Sequence, residues 1–275
     1  MTTPQWRQAT ITFGNPDTAV QIAMDHLAPI LTEAETRGLI TCWFYVRKGD
    51  WRLRYLPTAD TPTDSPTKRH MTTRLDQLVH DDVLHRAVAG IYEPEVHAFG
   101  GPQAMDTAHQ LWHHDSRHLL TRSAATATRD REVSIMLCAT MMRAAGLDWY
   151  EQGDVWACVA DHRDPPALAL AESLQQPTHR LLTVDPADLT RKDAPLAGCH
   201  EQFDAYTHAG QALRELNQRG RLHRGLRATL AHHVIFAWNR RSIPGAYQAA
   251  LATAAKTVVF GPDPTACPST PRGDS

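Results

Sequence analysis

The stretch LITCWFYVRKGDWRLRYL at residues 39–56 decides the fold. It holds two runs rich in aromatic and β-branched residues, 39–47 and 51–56, with Gly49 in the short turn between them. Runs of this composition and length predict two antiparallel strands joined as a hairpin. Because successive side chains of a strand point to opposite faces, the second strand presents Arg52 and Arg54 on one face and its apolar residues on the other.

A strand and a helix precede this hairpin. Residues 6–13 alternate as a strand does, and Asp17 can cap a helix whose apolar residues recur at spacings of three and four until Gly38. The predicted order is therefore β-α-β-β. Downstream we expect a helix over 70–88, an extended segment over 90–99, and helices over 102–122, 131–145, 202–219, 226–240 and 244–259. These elements predict an α+β fold, in which an antiparallel sheet from the first hundred residues packs against helices of the C-terminal half.

The composition is that of an ordinary globular protein. Among 275 residues, 28 basic and 30 acidic side chains give a formal net charge of −2, which argues against a protein that binds nucleic acid through bulk charge. Five scattered cysteines favour a reducing compartment over a disulfide framework. The polar start and the short apolar stretches predict neither a leader nor a membrane span. We therefore expect a cytoplasmic protein without direct nucleic-acid or membrane partners.

The standard nucleotide-binding, serine-hydrolase and zinc-protease motifs are missing from the sequence. Histidines do cluster at residues 109–118, on a predicted helix where a spacing of four could hold a metal ion. A polar, solvated helix face explains this cluster better, because no further ligand lies at suitable spacing. We predict neither a metal nor a cofactor.

Three groups of residues could carry chemistry. Arginines of the hairpin, at Arg47, Arg52 and Arg54, could form a row that grips a carboxylate, although an exposed sheet face is the commoner explanation. Tyr92 and Glu95 are proton carriers beside a Gly-Gly turn, or simply the end of an edge strand. In the helix over 226–240, residues His233, Phe236 and Arg240 share one side, and a histidine there is either a general acid or base or a satisfied core residue.

Four segments taken together resemble a known family. They are WFYVRKGDWRLRYLP, IYEPEVHAFGGPQAMDTAHQLWHHDS, REVSIMLCATMMRAAGLDWYEQGDVWACVADHR and RGLRATLAHHVIFAWNRRSIPGAYQAALATAAKTVVFG, in this order between residues 6 and 260. They are similar to stand-alone thiopeptide-type bacteriocin biosynthesis proteins, which correspond to the C-terminal elimination domain of class I lanthipeptide dehydratases. The resemblance implies a single domain over residues 1–260. The composition of residues 261–275, with four prolines and a closing Gly-Asp-Ser, predicts a disordered tail.

The resemblance also implies an activity and partners. A lyase of this family eliminates glutamate from glutamylated Ser or Thr of a ribosomally made precursor peptide, with a leader and a core, to give dehydroalanine or dehydrobutyrine. A separate glutamyl-tRNA-dependent protein would attach the glutamate. Relatives instead form a pyridine from two dehydroalanines by a formal [4+2] cyclisation and release the leader. A non-catalytic, leader-binding scaffold is a third alternative, and a homodimer stays open.

Carried over residue by residue, the resemblance gives His233, Arg54 and Arg47 as catalytic residues. It supports Arg52, Asn239 and Arg240 as substrate-binding residues, to which the chemistry of the residues themselves adds Tyr92 and Glu95. Two positions depart from the family pattern. Pro94 stands where the dehydratases carry arginine, as is usual for the stand-alone type, and Ala237 stands where many relatives carry histidine, which leaves the identity of the catalytic histidine open.

Overall fold

The computed structural model describes residues 6–58, 65–122 and 129–261. The first part contains β1 (Arg7–Thr12), α1 (Ala19–Ile22), a π-helical turn (Ala23–Leu27), α2 (Ala28–Thr36), β2 (Ile40–Lys48), β3 (Asp50–Pro57), α3 (Pro66–His80) and β4 (Arg86–Gly90). The second part contains α4 (Pro102–Thr121), α5 (Asp130–Ala144), α6 (Trp149–Asp161), α7 (Leu168–Thr183), α8 (Pro186–Thr190), a 3-10 turn (Ala197–Cys199), α9 (His200–Gln218), α10 (Leu226–Arg240) and α11 (Gly245–Phe260). The predicted α+β class and β-α-β-β start are confirmed.

The four strands form one antiparallel sheet in the order β2-β3-β1-β4. Val46 lies opposite Arg52, and Arg47 lies opposite Trp51. Directly opposed residues of an antiparallel pair share a face. Arg52 and Arg54 therefore share one face, whereas Arg47 lies on the other, where its guanidinium carbon is 4.6 Å from the centre of the Trp51 ring. The expected row of three arginines thus contains only two.

The two faces of the sheet pack against different partners. Trp51, Leu53 and Tyr55 join a core with the apolar sides of α1, α2 and α3. Phe44 and Val46, on the face of Arg52 and Arg54, join a smaller aromatic core. The helices from α4 onward form a third and larger core among themselves. The sheet face that carries Arg52 and Arg54 packs against this helical half, where β2 contacts α10.

Helix α4 covers the β2 edge of the sheet. The backbone N–H of Trp43 donates to Nδ1 of His113 (3.2 Å), and that of Tyr45 donates to Oγ of Ser116 (3.3 Å). The helix lies between β2 and α9, so it is buried on both sides. The predicted solvated face over 109–118 is therefore wrong, since His109, His113 and Asp115 are all buried.

The segment after α3 also differs from the sequence prediction. The expected helix over 70–88 ends at His80, and Asp82 adopts a positive φ of 57° that a helix cannot continue through. Residues Arg86–Gly90 then form β4, which pairs with β1. The chain over 91–99 is not a strand, because pairing with β1 is complete by Gly90.

Two long helices, α6 and α7, were absent from the sequence prediction. Each contains a helix-disfavouring residue, Gly153 in α6 and Pro177 in α7. Gly153 is required by packing, because a Cβ there would lie 2.5 Å from Cζ of Phe260 on α11. The close approach of α6 and α11 thus depends on this glycine.

The predicted disordered tail over 261–275 lies outside the described residues, apart from Gly261. Among the helices that the structure describes, none is long and apolar enough to cross a membrane.

Candidate active site

A cavity of about 890 Å³ lies between the sheet face that carries Arg52 and Arg54 and the helical half of the chain. Its walls come from β2, β3, α10, α11 and the end of α6. The polar and charged lining residues are Arg47, Arg52, Arg54, Glu95, Asp161, His162, Arg163, Asp164, His232, Asn239 and Gln248. Four arginines and three carboxylates among them make the cavity strongly charged, with a small cationic excess.

Arg54 is the most buried cation of this cavity, with only 5% of the residue exposed. Its Nε donates to Oε1 of Gln8 (2.9 Å), and its guanidinium carbon lies 4.0 Å from the centre of the Tyr92 ring. Its Nη1 atom is buried and has no hydrogen-bond partner among the described residues. Burial lowers the pKa of Arg54, and the neighbouring Tyr92 and Glu95 oppose that shift. The fixed guanidinium therefore keeps one terminal nitrogen, which carries two N–H donors, for a ligand.

Helix α10 supplies the opposite wall. His232, Phe236 and Asn239 recur at spacings of four and three, so they lie on one face of the helix and line the cavity. Each next residue along a helix is rotated by about 100°. His233 and Arg240 follow His232 and Asn239, and they are turned into the protein, each 1% exposed.

The end of α6 closes the cavity through a chain of hydrogen bonds. Arg163 donates from Nε (3.0 Å) and Nη2 (2.6 Å) to Oε1 of Gln248, which in turn donates from Nε2 to Oδ1 of Asn239 (3.0 Å). Gln248 is also held by the carbonyl oxygen of Ile243, to which Nε2 donates (2.7 Å). Because the side-chain oxygen of Asn239 is occupied, its NH₂ group remains as the donor.

The hydrogen-bond partners of His162 and His232 assign opposite tautomers to these two rings of the cavity. Nδ1 of His162 lies 2.6 Å from the carbonyl oxygen of Cys158, which can only accept, so Nε2 of the neutral ring is an acceptor. Nδ1 of His232 lies 3.0 Å from Nη1 of Arg224, which can only donate, so Nε2 carries the proton. The carbonyl oxygen of Ala228 lies farther from that nitrogen, at 3.3 Å. Burial, aided by the charge of Arg224, lowers the pKa of His232 and keeps it neutral near pH 7.

These two rings are neighbours, with centroids 5.2 Å apart in an edge-to-face arrangement. One cavity thus holds a ring nitrogen that can take a proton and a ring N–H that can donate a hydrogen bond. This pairing can serve a reaction in which a C–H proton is removed next to a carbonyl group.

The structure brings most of the residues predicted from sequence together. Those that line the cavity are Arg47, Arg52, Arg54, Glu95 and Asn239. Tyr92 lies under Arg54 instead, and its hydroxyl hydrogen-bonds to Nε2 of His109 (2.9 Å). Tyr92 therefore supports the arginine with its ring, and burial raises its pKa.

His233 and Arg240 do not line this cavity. Neither ring nitrogen of His233 has a hydrogen-bond partner within the described ranges, and the ring packs against Phe99 with centroids 5.0 Å apart. Burial lowers the pKa of His233 to about 3, so the ring is neutral. Arg240 donates from Nε to Oδ2 of Asp115 (2.8 Å), on the far side of α10 from the cavity.

Sequence reasoning missed His162, Arg163 and Gln248. The run DHRDPP at residues 161–166 places four polar residues at a helix end before two prolines, and it could have drawn attention to the first two. Gln248 lies in an alanine-rich helix and gives no such signal. Within residues 6–58, 65–122 and 129–261, no group of three or more His, Cys, Asp or Glu side chains could hold a metal ion.

Comparison with known proteins supplies the family. Residues 6–259 match the family described as lantibiotic biosynthesis dehydratase, C-terminal. No curated protein matches the sequence. Among solved structures, the fold resembles that of the tRNA-dependent lantibiotic dehydratase MibB from Microbispora sp. 107891, with a TM-score of 0.64 and 18% identity over 94% of this chain and 29% of MibB. It also resembles TsrL, with a TM-score of 0.58 and 15% identity over 93% of this chain and 94% of TsrL.

At these identities the two structures establish a shared fold. The matched region is less than a third of MibB, whereas TsrL is matched over nearly its whole length. The family match covers almost all of this chain. The chain therefore belongs to the lantibiotic biosynthesis dehydratase C-terminal family.

Proposed function

We propose that the protein is a lyase that eliminates glutamate from glutamylated Ser or Thr residues of a precursor peptide, leaving dehydroalanine or dehydrobutyrine. The observation that carries the proposal is Arg54, a buried guanidinium that lines the 890 Å³ cavity and keeps one unpartnered Nη1. A guanidinium held in this way suits a carboxylate, and the leaving group of this reaction is a carboxylate. Arg52 and Arg163 line the same cavity and support the binding of a second carboxylate.

The elimination requires three things of the site. A base must take the proton from Cα, hydrogen-bond donors must stabilise the negative charge that develops on the peptide carbonyl oxygen, and cations must receive the leaving group. We assign the base to Nε2 of His162, whose other nitrogen is fixed by Cys158. We assign the donors to Nε2–H of His232 and the NH₂ group of Asn239.

The step balances with these groups alone. The Cα–H bond breaks and its proton moves to Nε2 of His162, while its electron pair forms the Cα–Cβ double bond. The Cβ–O bond breaks, and its electron pair leaves with the glutamate carboxylate, which Arg54 and Arg52 neutralise. No oxidant, reductant or metal takes part.

This assignment moves the acid-base chemistry from His233 to the two histidines that line the cavity. His233 is only 1% exposed, so a peptide could not reach its ring. The resemblance places a histidine of many relatives at residue 237, where this chain has alanine. The orientation of α10 supports a role for His232 in the reaction, because His232 lies on the face of the helix that lines the cavity and His233 does not.

We further propose that glutamylation occurs on a separate protein. MibB is named as tRNA-dependent, and this chain corresponds to 29% of it. The near-neutral charge, 28 basic against 30 acidic residues, supports assigning tRNA handling to that partner.

Incubation of the purified protein with a chemically glutamylated precursor peptide tests the lyase. Mass spectrometry should show loss of glutamate and appearance of dehydro residues, which a thiol adduct confirms. Persistence of the glutamylated peptide, with the protein folded and the glutamylating partner present, would overturn the proposal. A precursor peptide that already contains dehydroalanines tests the alternatives: its macrocyclisation with leader release would identify a pyridine synthase, and tight leader binding without a mass change in either peptide would identify a scaffold.

A further inference from the structure

A second cavity, of about 430 Å³, lies on the other side of α10 from the candidate active site. It shares a single lining residue, Arg47, with the first cavity. Its charged lining residues are Asp17, Arg47, Arg122, Asp130, Arg240 and Arg241. Four guanidinium groups therefore meet two carboxylates around a space large enough for several non-hydrogen atoms.

Arg240 is the main reason to regard this cavity as a binding site. Its side chain is 1% exposed, and its Nε donates to Oδ2 of Asp115 (2.8 Å). Both terminal nitrogens, Nη1 and Nη2, are buried without a hydrogen-bond partner within the described part of the chain. A buried guanidinium whose fork is unoccupied is costly in a folded protein, unless a ligand fills it.

Asp115 cannot supply the missing acceptors. Arg241 donates to both of its oxygens, from Nη2 to Oδ1 (2.7 Å) and from Nη1 to Oδ2 (3.1 Å), and Gln202 donates to Oδ1 (2.7 Å). With the bond from Arg240, the carboxylate accepts four hydrogen bonds, which is about its full capacity. Two arginines against one aspartate leave this buried cluster with one uncompensated positive charge.

Arg122 is a second cation of this cavity whose hydrogen-bond donors are not all used among the described residues. Its Nη1 pairs with Oδ1 of Asp130, but its Nε is buried and unpartnered among the residues described. Asp130 is thereby neutralised, and the other lining carboxylate, Asp17, lies at the exposed rim. The excess of about one positive charge matches a monoanion, whereas a phosphate or sulfate dianion would leave one negative charge uncompensated beside Asp17 and Asp130.

We infer that this cavity is a binding site for a small carboxylate monoanion, held in a bidentate manner by the terminal nitrogens of Arg240 with support from Arg122. The planar fork of arginine matches the geometry of a carboxylate. The inference is independent of the elimination reaction, because Arg240, Arg122 and Asp17 line this cavity and not the candidate active site.

Acetate is the probe that tests the site, at constant ionic strength and without peptide. Titration of ¹⁵N-labelled protein should shift the side-chain Nε–Hε resonances of Arg240 and Arg241 in a saturable way. Sulfate at equal ionic strength should shift them less. The inference is overturned if these resonances do not saturate, or if they respond equally to sulfate.

Two variants with opposite expected effects on acetate affinity make this titration a stronger test. Arg122→Gln should weaken acetate binding by about tenfold or more, since a charge-assisted hydrogen bond is lost. Asp17→Asn, at an exposed position where misfolding is not expected, should tighten it by about twofold, because a repulsive charge is removed. Acetate affinity that is unchanged by Asp17→Asn would contradict the site even if Arg122→Gln fails to fold.

Discussion

The guanidinium carbon of Arg54 lies 4.0 Å from the centre of the Tyr92 ring, while its Nε donates to Gln8. The arginine is thus fixed by a β1 residue beside it and by an aromatic ring from the segment after β4. A lysine ammonium could also lie near this ring, but it lacks the planar fork that donates to Gln8 and to a bidentate carboxylate in a fixed geometry. The geometry of this pair makes Arg54 the residue on which the proposed reaction depends most.

Arg54→Lys should therefore lower kcat/KM for glutamate elimination by about 10²–10³-fold, although the charge is kept. The measurement is the rate of glutamate loss from a glutamylated peptide, followed by mass spectrometry. Arg219→Lys, at an exposed arginine that pairs only with Glu215 among the residues described, is the matched control and should be silent. A rate for Arg54→Lys within twofold of the wild type would remove Arg54 from the mechanism.

Tyr92 offers a second test of the same pair. Tyr92→Phe keeps the ring under Arg54 and removes only the hydrogen bond to His109, so elimination should persist while the free energy of unfolding falls by about 1 kcal/mol. Tyr92→Leu removes the ring and should slow elimination as well. Equal loss of activity in both variants would show that the hydroxyl, not the ring, is what matters.

His162 should be required for proton removal. His162→Ala is expected to lower kcat by about 100-fold or more, as the loss of a general base does, with little effect on stability because the residue is exposed. His179→Ala, at an exposed histidine of α7, is the control. Unaltered turnover in His162→Ala would exclude this base.

His233 should behave in the opposite way. Because its ring is buried, neutral and unpartnered among the described residues, His233→Leu should keep elimination and leave stability unchanged or raised by about 1 kcal/mol. Thermal unfolding and the peptide assay measure the two effects. Accumulation of glutamylated peptide by a well-folded His233→Leu protein would restore the family-based assignment of this histidine.

Gln248 should act as a positioning residue for Arg163 and Asn239. Gln248→Ala removes the acceptor of two Arg163 hydrogen bonds and the donor to Asn239, so KM for the glutamylated peptide should rise by about tenfold. A merely structural role would lower stability and the amount of active protein without changing KM. Separate measurement of kcat and KM, with unfolding by urea, distinguishes the two.

Stability should fall as the pH is lowered from 7 towards 4. Burial lowers the pKa of His109 from 6.5 to about 4, so between these values the unfolded chain binds a proton that the folded protein does not. The stabilisation is fully present above pH 6.5 and decreases as the pH falls, by up to about 3 kcal/mol from this residue. Urea unfolding at several pH values measures the slope, and His109→Gln should reduce it. Identical slopes in both proteins would contradict a depressed pKa for His109.

The hairpin over 39–56 could be predicted from sequence because its alternation and turn are local properties. That Arg52 and Arg54 share one face of the sheet could also be predicted, because side chains two residues apart on a strand always point to the same side. Arg47 was misplaced because its face depends on the register between β2 and β3, which the turn fixes and the composition does not reveal. β4 was mistaken for the end of a helix, because its strand character comes only from pairing with β1.

The sequence by itself therefore determined the fold class, the family and the arginines of the sheet, through local alternation and extended motifs. Only the tertiary structure decided which side of α10 faces the cavity, since that depends on how the helix packs between the sheet and α6. That packing brings His232 to the site beside residues 161–164 and Gln248, which lie far from it in sequence, and it turns His233 and Arg240 inward. A site assembled from five separate elements is a consequence of packing, and the pattern along any one of them could not reveal it.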